Sequence, residues 1–153
     1  MKKTEADTYL TLGLRYLQDN DHKRAIELLS IAIGVDPHFA EAYGFRGMAY
    51  FTLGTYQEAM DDYNIALSLD PSLHSVYYFR ATLHLMLKHY QDAVDDFTLA
   101  IELDNYFAEA YFYRGMCKGL LDDEKGGTYD IKAAASLGMP EAQKILNEKG
   151  IVW

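Results

Sequence analysis

Three arginines and three aspartates recur at fixed spacing along this chain, and they are its most conspicuous candidates for chemistry. Arg46, Arg80 and Arg114 lie 34 residues apart, and an aspartate follows each by sixteen: Asp62, Asp96 and Asp130. Two uses fit such an array. One is an arginine ladder that binds phosphate or carboxylate. The other is a set of structural ion pairs, each tying together two facing helices, since a buried arginine ordinarily has a partner. The chain itself favours pairing. At the equivalent positions nearer the N-terminus stand Leu12 and Leu28, so the two positions change together from charged to apolar.

Other reactive groups form no recognisable site. The histidines, His22, His38, His74, His84 and His89, are scattered over loops and different repeat positions. His84 and His89 can share one side of a helix end, but no third ligand is evident, so no metal is expected. Cys117 falls where Ala49 and Leu83 stand in other repeats and reads as small buried packing. The acidic clusters Asp61-Asp62, Asp95-Asp96 and Asp122-Asp123-Glu124 read as solvated helix starts or as members of the ion-pair column. Carboxylate pairs can perform acid–base catalysis, but nothing places these around a pocket. No phosphate-binding loop, H-E-x-x-H, C-x-x-C or nucleophile elbow occurs, so neither an enzyme nor a cofactor is expected.

Composition narrows the partners. With 153 residues, half of them apolar, the chain can build one ordinary domain with a real core. A formal charge of −9 repels nucleic acid and anionic lipid, so a charged partner should be basic. One cysteine rules out an internal disulfide framework. The start, MKKTEADTYL, lacks the continuous apolar stretch of a signal peptide, and no apolar run is long enough to span a membrane. A cytoplasmic location is the default expectation.

The elements that position these residues follow from an internal repeat. Asp36-Pro37, Asp70-Pro71 and Asp104-Asn105 are spaced by 34 residues. In the same register Tyr9, Tyr43, Tyr77 and Tyr111 form one column, and Gly13, Gly47, Ala81 and Gly115 a second. Ala25, Ala59, Ala93 and Gly127 form a third, Ala32, Ala66, Ala100 and Ala134 a fourth, with Leu29, Tyr63, Phe97 and Ile131 between them. Each unit reads as a helical hairpin. Residues 40–53 carry helical apolar spacing, the chain turns at Asn20, Gly54, Lys88 or Asp122, and a second helix such as 57–69 stops before the proline. Small columns let the two backbones approach while the large residues fill the space beside them. A lone hairpin cannot bury its apolar surface, so the units must stack.

These columns make the chain similar to the tetratricopeptide repeat (TPR) family. The resemblance spans residues 6–39, 40–73, 74–107 and 108–139. It departs from the pattern at His84, Asn105, Lys118 and Gly127. It implies an all-α fold, a right-handed α-α superhelix of about four hairpins, in a single domain over 1–153. A capping helix and tail occupy 140–153, with Gly138 as a helix stop, Pro140 at a helix start and an apolar stripe of Ala142, Ile145 and Leu146. Gln143, Lys144, Asn147 and Glu148 would face solvent, and the apolar tail Ile151-Val152-Trp153 would fold back on the cap.

In the family resembled, first-helix residues line a concave groove. The matching positions here supply Leu10, Tyr78 and Phe112, then Leu14, Met48, Thr82 and Met116, then Leu17, Phe51 and Leu85. Spacings of four and seven put them on one helix face. Glu41 and Glu109 add an acidic rim. Some members clamp the acidic tail of heat-shock chaperones with lysine, asparagine and arginine, but the matching positions here are Leu10, Leu14, Phe45, Ser75 and Phe79, so that clamp is absent. The expected function is a non-catalytic adaptor or scaffold that binds a partner peptide through apolar anchors and basic flanks. The alternative is a self-associating homodimer or secretion-type chaperone using the same face.

Overall fold

The computed structural model describes residues 2–153. Nine α-helices account for the described residues, with no strand among them: α1 (Lys2–Gln18), α2 (His22–Val35), α3 (Ala40–Thr52), α4 (Tyr56–Leu69), α5 (His74–Met86), α6 (Tyr90–Leu103), α7 (Ala108–Leu120), α8 (Glu124–Ser136) and α9 (Pro140–Glu148). The chain divides into two compact units, one ending at Val76 and one running from Tyr77 to Trp153. None of these helices is long and apolar enough to cross a membrane.

The hairpin turns are built alike. Asn20, Lys88 and Asp122 adopt left-handed backbone with φ of 58°, 62° and 64°, and Gly54 does so with 80°. In each turn the next amide reaches back five residues: Asp21 N–H donates to Tyr16 O, Thr55 to Tyr50, His89 to His84 and Asp123 to Lys118. A shorter bond, such as Lys88 N–H to Leu85 O, completes the motif that commonly ends helices. Each following helix starts at once. Asp21 and Asp123 cap α2 and α8 by accepting from the amides of Arg24 and Gly126.

The Asp-Pro column has a local role. Asp36, Asp70 and Asp104 accept from the amides of His38, Ser72 and Tyr106 two residues on, so the turn persists at Asp104 although Asn105 replaces the proline.

Within the first unit α1 packs on α2, α2 on α3 and α3 on α4. Leu17, Ala25, Leu29, Ala32, Ala42 and Ala49 form its core, and Tyr63 is fully buried. The glycine column is a steric requirement. A Cβ on Gly13 would lie 2.8 Å from Leu29, and one on Gly47 would lie 2.7 Å from the Tyr63 ring. Within the second unit α6 packs on α7, α7 on α8 and α8 on α9. Here the third column's alanine is replaced by Gly127, because its Cβ would stand 2.8 Å from the carbonyl oxygen of Gly115.

The cap buries Ala142 and Leu146 against Phe112, Ile131, Ala134 and Ala135. Gln143 does not face solvent with its neighbours as expected. It is half-buried and its amide donates to Ala135 O at 3.0 Å, fastening α9 to the end of α8. The tail divides: Ile151 packs on the cap cluster, Trp153 Nε1 donates to Asn147 at 3.1 Å, and Val152 stays exposed.

Candidate functional site

The arginine column lies between paired helices. Arg46 on α3 donates from Nε to Asp62 Oδ2 and from Nη2 to Asp62 Oδ1, both at 2.8 Å, and its Nη1 donates to Ser30 on α2 at 3.0 Å. Arg114 on α7 repeats the arrangement with Asp130 on α8 and Thr98 on α6. Arg80 holds Asp96 through the same two atoms at 2.7 and 2.8 Å. Beyond the pairing within a hairpin, Arg46 and Arg114 therefore also tie the hairpin to the second helix of the preceding one. Hydrogen bonding to Asp62 raises the Arg46 pKa above its ordinary value against the opposing effect of burial. Every nitrogen of Arg46 and Arg114 that faces these partners is occupied, which leaves no open fork for an anion.

Tyrosines complete these pairs. Arg46 sits over the rings of Tyr43 and Tyr50, Arg80 over Tyr77 and Arg114 over Tyr111, at 5.4–5.9 Å from the centroids. The tyrosine column, three residues before each arginine, thus carries the guanidinium as well as packing the hairpin. In the last repeat Lys118 adds a second cation to Asp130 at 2.8 Å, which explains its departure from the repeat pattern.

The expected groove residues separate into three groups. Leu17 and Phe112 are only 9% and 8% exposed and belong to the cores. Leu10, Leu14 and Met48 are half-buried against the first core, and Tyr78 and Leu85 against the core of Ala81, Phe97 and Ala110. Tyr78 packs beside Phe97, Phe107 and Tyr113, and burial pushes its hydroxyl pKa up to about 12. Phe51 and Thr82 are also half-buried. Glu41, Glu109 and Met116 are exposed.

Next to Met116 the second unit opens a cleft of about 540 Å³, lined by Met116, Gly119, Gly127, Ile131, Ile145 and Leu146 among others. It exists because Gly119 stands where the other repeats carry Leu17, Phe51 or Leu85.

Two further groups stand apart from this face. Cys117 is fully buried, and desolvation raises its thiol pKa to about 11. The pair His84 and His89 does have a third potential ligand, contrary to the sequence expectation. One donor atom from each of His84, His89 and Asp92 lies within 4.8 Å of the others. Only the turn geometry reveals this, since Asp92 is three residues into a different helix.

Comparison with known proteins settles the family. A tetratricopeptide repeat model matches residues 10–74, and a second of the same description matches 74–107. The chain belongs to the tetratricopeptide repeat family. Among solved structures, MamA superposes with a TM-score of 0.80 at 24% identity, over 90% of this TPR chain and 81% of MamA. PilF of Pseudomonas aeruginosa gives 0.82 at 21%, over 97% and 72%. The first TPR of Spaghetti (RPAP3), solved bound to an HSP90 peptide SRMEEVD, gives 0.75 at 23%, over 78% and 95%. At these identities the likeness shows the TPR fold alone. No curated protein matches the chain by sequence.

Proposed function

We propose that this TPR chain is a non-catalytic interaction module that takes a peptide segment of a partner protein on the first-helix face of each unit. The segment would present apolar anchors with basic flanks. The observation that carries this reading is the pairing of accessible apolar side chains with exposed acids two helical turns away. Met116 is 43% exposed and Glu109 lies seven residues before it, while half-buried Met48 has Glu41 in the same relation. Methionine adapts to varied partners, and accessible apolar side chains grouped beside a cleft mark interaction surfaces. The net charge of −9 supports a basic partner. An acidic tail such as the one bound by Spaghetti is disfavoured, because Leu10, Leu14, Phe45, Ser75 and Phe79 occupy the positions where a clamp needs charge or amide.

The exposed apolar Val152 of the tail, at 86%, favours a second reading in which copies of the chain self-associate. One experiment separates the two. Binding of a fluorescent amphipathic peptide with leucine anchors and lysine flanks is measured beside its glutamate-flanked twin, with the mass of the protein in solution. The proposal expects preference for the lysine-flanked peptide and several-fold weakening by Glu41→Lys with Glu109→Lys, both exposed, so that the reversal costs the fold only the small dipole contribution of each helix's first turn. Equal affinity for the two peptides, or no effect of the charge reversal, overturns it. A stable dimer that binds neither peptide establishes self-association instead.

A further inference from the structure

The third hairpin turn differs from the others in what its two closing residues can bind. The bond that closes each turn joins Tyr16 to Asp21, Tyr50 to Thr55, His84 to His89 and Lys118 to Asp123. Only the third places imidazoles at both ends, with ring centroids 6.0 Å apart. The first of these positions is satisfied elsewhere in a visible way. Tyr16 and Tyr50 lie against the guanidiniums of Arg24 and Arg46, and Lys118 pairs with Asp130. His84 is different. Its Nδ1 is buried with no hydrogen-bond partner among the described residues, and its Nε2 stands 3.9 Å from Asp96, whose carboxylate Arg80 already holds. A polar atom left in that state calls for a partner that the protein itself does not provide.

We propose that His84, His89 and Asp92 form a binding site for a divalent transition-metal ion of the zinc class, at the turn between α5 and α6. The ligand atoms lie within 4.8 Å of one another, whereas donors around tetrahedral zinc stand roughly 3.3 Å apart, given bonds of about 2.0–2.1 Å. The contraction needed falls on His89 and Asp92, which are exposed and free to change rotamer, while half-buried His84 stays fixed. Two imidazoles and one carboxylate suit zinc, nickel, cobalt or copper, and disfavour magnesium and calcium, which take oxygen ligands. Three protein ligands leave an open position for water or a side chain from a bound partner. The Asp92 carboxylate supplies the negative charge that the ion needs, since Asp96 is already held by Arg80. The site joins the last turn of one helix to the first turn of the next, so an ion there would brace the hairpin.

The test uses tag-free protein. Zinc chloride is titrated by calorimetry, with magnesium chloride as control, and the histidine ring signals are followed by NMR. One zinc per chain is expected, no response to magnesium, and shifts confined to His84 and His89 while His22, His38 and His74 stay put. The variant His84→Tyr with His89→Thr gives the third turn the residues of the second, Tyr50 and Thr55, so its fold should survive. Its zinc affinity should fall at least about tenfold, the smaller end of what even an outer-shell partner is worth. Absence of saturable zinc binding in the wild type overturns the proposal. So does binding that moves the other histidines, or that Cys117→Ser abolishes, and so does unchanged affinity in a folded double variant. Should the variant not fold, the wild-type ring shifts decide by themselves.

Discussion

Arg46 grips Asp62 at two points, Nε to Oδ2 and Nη2 to Oδ1, both at 2.8 Å across sixteen residues of sequence. Asp62 is 4% exposed, so removing the arginine alone strands a carboxylate away from water. Arg46→Leu should therefore cost on the order of 3–5 kcal/mol. Arg46→Leu combined with Asp62→Leu reproduces the Leu12 and Leu28 of the first repeat and should lie near neutral, within about 1 kcal/mol. Urea denaturation of the two variants measures this. A double variant as unstable as the single one would mean that the pair does not set the cost.

Gly119 and Gly127 make opposite demands within one hairpin. A Cβ on Gly127 meets the Gly115 carbonyl oxygen at 2.8 Å, and a backbone atom cannot move aside as a flexible side chain can. Gly127→Ala should destabilise by roughly 1–3 kcal/mol through overpacking, exceeding the helix propensity that alanine gains. A Cβ on Gly119 meets nothing within 4 Å. Gly119→Ala should therefore keep the whole propensity gain and stabilise by up to about 1 kcal/mol. Thermal melts of both variants check the signs, and stabilisation by Gly127→Ala would refute the close approach of α7 and α8.

The contrast between those glycines also shows what the sequence alone could carry. Turn positions were legible at Asn20, Gly54, Lys88 and Asp122, because a helix stop is a local backbone event that recurs every 34 residues. The spacing of Arg46 and Asp62 was legible too, because two helices of constant length bring the same offsets together each time. The apolar stripe identified a face of each first helix but not what covers it. Leu17 and Phe112 lie on that stripe and yet sit in the cores, where residues of neighbouring helices close over them. Ser30 and Thr98 as arginine partners were hidden for a similar reason, since each belongs to the preceding repeat. Gln143 shows the limit at short range: a polar residue on a capping helix reads as solvated until the Ala135 carbonyl, which also accepts from Gly138 N–H, is seen beside it.

Lys88 ends α5 in left-handed backbone, with φ of 62°. A side chain bearing a Cβ is strained there, and the equivalent residue of the second repeat, Gly54, is the one residue type without that cost. Glycine also gives the unfolded chain more freedom, which takes back part of the gain. Lys88→Gly should be net stabilising by about 0.5–1 kcal/mol, read as a higher urea midpoint with an unchanged m-value. A fall in the midpoint would mean that the lysine side chain contributes more than its backbone costs.

Cys117 is fully buried on α7, and its thiol pKa is raised from 9.0 to about 11. Burial favours the neutral thiol in the folded state, so the unfolded chain loses its proton first as pH rises. The resulting contribution is fully present below pH 9 and is lost as pH climbs through about 11. A gap of two units corresponds to about 2–3 kcal/mol. Cys117→Ala should lose less stability than the wild type over that interval, measured by urea denaturation at fixed steps of pH. Titrating tyrosines and lysines are common to both proteins and cancel in the difference. The same burial should make the native thiol inert to a disulfide reagent at neutral pH until denaturant opens the chain, because the thiolate is the reacting species. Rapid labelling of the folded protein, together with parallel stability curves for the two proteins, would place Cys117 at an accessible surface and refute its packing between α7 and its neighbours.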